Sequence, residues 1–69
     1  MKINDRVEII GGNNEIGQPT MIGRVGIILG FGTKYKVKGV DAQEVFVDFV
    51  DFVDYGTHCF NDYHLRVLL

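Results

Sequence analysis

Cysteine, proline and basic charge are all scarce in this sequence of 69 residues. Cys59 is the single cysteine, so no disulfide can form within the chain, and one free thiol suits a reducing compartment. Pro19 is the single proline. No apolar run approaches the ~18 residues of a membrane-spanning helix. The opening Met1-Lys2-Ile3-Asn4-Asp5 lacks the apolar core of a signal peptide, and the expectation is a cytoplasmic protein with no membrane role. Lys and Arg number 7 against 9 Asp and Glu, giving a net charge of −2, where a general nucleic-acid binder is usually basic. Helical periodicity is missing too: no segment of about ten residues repeats apolar positions at i, i+3 and i+4 between caps.

What is present describes a folded β domain. Hydrophobic residues make up 46% and charged residues 23% of the chain, an ordinary globular balance. Residues 1–69 read as a single small domain. A domain of this size buries only about 60% of its unfolded surface, so its stability is marginal and a partner is a common remedy. The 9 glycines are spread among β-branched residues, as short strands and tight turns require.

Five strands are expected. The first runs from Arg6 to Ile10 with Val7 and Ile9 inward. A long surface loop, residues 11 to 21, follows. The second strand runs from Ile22 to Phe31, where Gly23, Gly26 and Gly30 permit sharp bends. The third, Thr33 to Lys38, alternates strictly and directs Tyr35 and Val37 inward. A turn centred near Asp41 would pair Lys38 with Glu44, Lys36 with Phe46 and Lys34 with Asp48, and direct Val45, Val47 and Phe49 inward. The fourth strand then meets a run with a period of three, Val45 to Tyr55, which fits neither a strand nor a helix. Bulges near Val50 and Val53 would keep Asp51 and Asp54 in solvent, because a buried unpaired carboxylate is too costly. Asn61 or Asp62 caps a single helical turn before a last strand, Leu65 to Leu69, with Leu65, Val67 and Leu69 inward.

Five short strands, a long first loop and a helical turn before the last strand resemble an SH3-like small β-barrel. Residues 5 to 12, DRVEIIGG, and 22 to 31, IGRVGIILGF, are similar to the KOW-type version. Val53-Asp54-Tyr55 and the stretch from His58 to Phe60 loosely resemble the small barrel protein of the photosystem I reaction centre. The resemblance implies a non-enzymatic binding module. The chain departs from KOW domains in the first loop, where Asn13, Asn14 and Glu15 stand and basic residues are absent. The additional Val-Asp-Phe unit has no counterpart in either family.

Four constellations bear on function. His58, Cys59, Asp62 and His64 are all metal-capable, but their spacing matches no common zinc pattern, and no metal or cofactor is expected. Cys59 beside His58 or His64 lacks the pocket and oxyanion site a nucleophile needs, so no catalytic residue is assigned. Lys34, Lys36 and Lys38, with Arg24, are the residues of a nucleic-acid reading, with Glu44 and Asp48 opposing them. Phe46 points outward beside aspartates, and such a surface fits protein docking, to another protein or to a second copy of the chain. The expected function is therefore a protein-binding or assembly module, a small accessory protein, acting through Phe46, Asp48, Val50, Asp51 and Phe52. The alternative is a KOW-like nucleic-acid or ribonucleoprotein module.

Overall fold

Alternating apolar residues and β-branched side chains make strands of most of this chain. The computed structural model describes residues 1–12, 22–49 and 57–69. It is all-β, with one 3-10 turn before the last strand. The strands are β1 (Arg6–Ile9), β2 (Val25–Val37), β3 (Val40–Phe49), β4 (Thr57–Asn61) and β5 (Leu65–Val67). They form one antiparallel sheet in the order β4-β3-β2-β1-β5. The 3-10 turn, Asp62–His64, joins β4 to β5.

One core unites all the strands. Val7 and Ile9 of β1, Ile28 of β2, Val45, Val47 and Phe49 of β3, Phe60 of β4 and Leu65 of β5 are buried together, with Val67 packed against them. The inward residues of β1 and β3 are those the alternation predicts. No charged or polar side chain among the described residues is buried with them.

Three expectations need correction. The predicted second and third strands are one continuous element, β2, and β4 is a strand that the sequence pattern does not announce. The hairpin turns at Lys38-Gly39, not at Asp41, because both residues adopt positive φ, 49° and 82°. That pair of dihedrals matches a two-residue hairpin turn whose twist suits the flanking strands. The resulting register pairs Lys36 with Asp41, Lys34 with Gln43, Gly30 with Phe46 and Ile27 with Asp48. Irregularities between Ile28 and Gly30 and between Phe31 and Lys34 each shift the ladder along β2.

The third correction concerns side-chain direction. Those shifts place Tyr35 opposite Ala42 and leave it 39% exposed, so it does not enter the core. At the far end β5 stops at Val67, and Leu69 is fully exposed rather than inward. Asn61 takes the N-cap position of the 3-10 turn, but its side chain accepts no hydrogen bond from the turn backbone; its amide N–H donates to the Tyr63 hydroxyl at 3.0 Å. The expected long loop at 13–21 and the bulges near Val50 and Val53 lie outside the described residues.

Candidate functional site

Strict alternation along β3 sends Val45, Val47 and Phe49 to the core and Glu44, Phe46 and Asp48 to the opposite, outward face. Cross-strand neighbours share a face, which builds that surface in rows. The first row is Arg6, Ile27, Asp48 and Thr57; the second is Gly30, Phe46 and Cys59; the third joins Glu44 to Asn61 and the fourth Tyr35 to Ala42.

Phe46 is 36% exposed at the middle of this face. A Cβ placed on Gly32 would lie 3.1 Å from the Phe46 ring and 3.0 Å from Glu44 Oε1, so a side chain there would crowd both residues. A Cβ on Gly30, in the same row as Phe46, would meet nothing within 4 Å. The ring thus packs close to Gly32, while the space above Gly30 in its own row is open.

Glu44 is held in place. The Thr33 backbone N–H donates to its Oε1 at 2.9 Å, and the Cys59 thiol donates to Oε2 at 3.4 Å. The Thr33 N–H first, and then the thiol, lower the Glu44 carboxyl below the usual range, because both bonds favour the ionised form. Cys59 moves the other way: desolvation first, then its bond to the Glu44 carboxylate, raise the thiol and disfavour the thiolate. Desolvation, followed by the charges of Tyr63, Glu44, Cys59 and Asp62, also raises the Tyr35 phenol. Asp48 is exposed and, among the described residues, forms no ion pair.

The lysines do not belong to this face. The rows Lys34–Gln43 and Lys36–Asp41 alternate with Tyr35–Ala42 and so point to the other side of the hairpin. Lys36 pairs with Asp41 at 3.5 Å, both side chains being well exposed. Lys38 occupies the turn and Arg24 precedes β2, so the four basic residues form no single stripe. Lys34 and Lys36 border a cleft of about 560 Å³ that also contains Tyr35, Gln43, Asp41 and Asp62, whose two carboxylates oppose the lysine charges.

The metal-capable cluster is divided as well. His58 sits on the core side of β4 with its ring 5.5 Å from Phe49, while Cys59 faces outward to Glu44. His64 lies beside Gly11 and Gly12 and 4.4 Å from the Tyr63 ring. Among the described residues no three His, Cys, Asp or Glu side chains converge on a cation-sized site.

Of the predicted docking residues, the structure places Phe46 and Asp48 together on the outward face, whereas Val50, Asp51 and Phe52 lie outside the described residues. Tyr35 joins the face although the sequence reading directs it inward, while Glu44 is outward as the alternation predicts but with a different cross-strand partner. The expected register gives Glu44 to Lys38, and only the position of the turn removes that lysine. No family model, curated protein or solved structure matches the chain.

Proposed function

We propose that this protein is a non-enzymatic, protein-binding or assembly module of the SH3-like barrel kind, and that it docks its partner on the outward face of β3 around Phe46. The observation that carries the reading is the placement of Phe46. An aromatic ring 36% exposed stands on the outward sheet face, packed beside Gly32 and with open space above Gly30. Aromatic residues are enriched at the centres of protein interfaces. The strand order β4-β3-β2-β1-β5 and the 3-10 turn before β5 support the SH3-like assignment. Val50, Asp51 and Phe52 follow β3 in the sequence and complete the proposed docking residues.

The test is affinity capture from the native host with the parent chain and with Phe46→Asp, followed by rebinding of each captured protein in purified form. A purified partner that binds the parent chain and not the variant supports the reading. Equal binding to both would remove Phe46 from it.

The KOW-like nucleic-acid reading rests on Lys34 and Lys36, which lie side by side at the rim of the cleft. Phosphate contacts are strongest at low salt, so absence of binding to mixed RNA and DNA at about 50 mM salt would end it.

A further inference from the structure

The start of β2, Val25-Gly26-Ile27-Ile28-Leu29, holds no polar side chain. Gly26 and Ile28 turn to the core and are buried. Val25, Ile27 and Leu29 belong to the outward face, where a strand bare to solvent would carry polar residues. Leu29 lies at the irregularity opposite Phe46 and is 47% exposed. The central strand of the sheet thus bears an apolar ridge on the side away from the core. Opposite charges flank that ridge. In the row of Ile27, Arg6 stands on β1 to one side and Asp48 on β3 to the other. Two strand spacings, about 9.5 Å, separate them, with Ile27 between. Both are exposed, and neither forms an ion pair among the described residues. In the neighbouring row Glu8 and Arg66 pair with each other, so their charges cancel. Glu44 lies two rows past Asp48, where β1 contributes no residue. Across the strands the row of Ile27 reads cation, apolar, anion.

Resting on the protein-docking reading above, we infer that the partner is a second copy of the chain, docked face to face about a two-fold axis that runs along β2. Such an axis exchanges the two sides of the ridge. Arg6 of each copy comes over Asp48 of the other, and Ile27 and Leu29 meet their own counterparts. A two-fold interface needs one patch that is complementary to itself, and a row of cation, apolar residue and anion has that property. Sheets packed face to face lie ~10 Å apart with their strands nearly aligned, a gap that one long Arg and one short Asp side chain bridge together. Phe46, opposite the same irregularity as Leu29, extends the apolar contact to one side. A small domain of marginal stability also gains from burying this ridge against a copy of itself.

The experiment is sedimentation equilibrium of the purified full chain from about 10 µM to about 1 mM, a range suited to an interface of modest extent. The parent is expected to dimerise. Arg6→Asp and Asp48→Arg, both at exposed positions, should each weaken the dimer about tenfold or more, because each opposes like charges at two symmetric contacts. An equimolar mixture of the two variants should dimerise again, since every contact in the mixed pair joins a cation to an anion. The double variant Arg6→Asp, Asp48→Arg should dimerise alone for the same reason. A role for either residue within the monomer would give no such rescue. Leu29→Glu sets two carboxylates together at the axis and should abolish the dimer, with circular dichroism showing the fold retained.

A parent chain that stays monomeric throughout that range would overturn the inference. So would a dimer that the two charge reversals leave unchanged, or one that each reversal weakens and the mixture does not restore. Any of these results leaves the docking reading standing where a purified partner binds the parent chain and not Phe46→Asp. A monomeric parent whose captured proteins all bind Phe46→Asp equally well would bring down both.

Discussion

Gly26 and Gly30 are four residues apart on one strand and have opposite surroundings. A Cβ on Gly26 would come within 2.4 Å of Val47 Cγ1 and 2.8 Å of the Asp48 carbonyl oxygen, whereas one on Gly30 would meet nothing. Gly26→Ala should therefore destabilise the fold by about 1–3 kcal/mol through overpacking against backbone that cannot yield. Gly30→Ala should stay within about 0.5 kcal/mol of the parent. Urea unfolding of the two variants checks the pair, and equal stabilities would contradict the placement of β2 against β3. Glu44 and Cys59 give a second prediction at this scale. Glu44 has a folded pKa below its unfolded value, so the Thr33 bond contributes stability above the unfolded range near pH ~4.3 and loses it as pH falls through the lowered value. Its carboxyl resonance should titrate below the range of an unperturbed glutamate. Cys59 should alkylate slowly at neutral pH, and Glu44→Gln should speed the reaction severalfold by removing the charge that opposes the thiolate. A thiol indifferent to that substitution would show that the bond between them does not form.

At the scale of elements, the hairpin turn decides the arrangement of everything on β2 and β3. Lys38 and Gly39 both adopt positive φ, which glycine and asparagine tolerate best. Gly39→Ala should cost about 1 kcal/mol, and Lys38→Asn should add a few tenths to about 1 kcal/mol, both read by thermal unfolding. The opposite result would move the turn away from Lys38-Gly39 and return the register expected from the sequence. This is where the sequence is least legible. A turn at Asp41 offers charge pairs between the lysines and Glu44 and Asp48, and nothing in the local pattern outweighs them. The structure instead shifts β2 at two irregularities, near Leu29 and Gly32. Irregularities depend on what lies across the sheet and leave no local signature beyond the glycines. The alternation of β1 and of Val45, Val47 and Phe49 is readable because each inward residue is apolar and each neighbour is polar or outward. β4 is unreadable for the converse reason: Thr57 to Asn61 buries Phe60 alone, and one apolar residue sets no period.

For the whole molecule, the division between core and outward face comes down to adjacent residues. Phe46 and Val47 are neighbours, one 36% exposed and one fully buried in a cluster drawn from all five strands. Because every strand contributes to that single core, loss at any of its members is felt across the sheet, and unfolding should be one cooperative transition. A charge at Val47 would lie within the core without a partner, and a domain this small has little stability to lose. Val47→Asp is thus expected to be unfolded at room temperature. Phe46→Asp should fold with a loss near ~1 kcal/mol, since the ring already faces solvent on one flank. Circular dichroism and urea titration of the two variants measure the contrast. If Phe46→Asp also failed to fold, the ring would belong to the structure of the domain, and its exposure would not mark a surface kept for a partner. If it folds and loses its partner, sequence alternation, strand register and docking chemistry are joined at one residue.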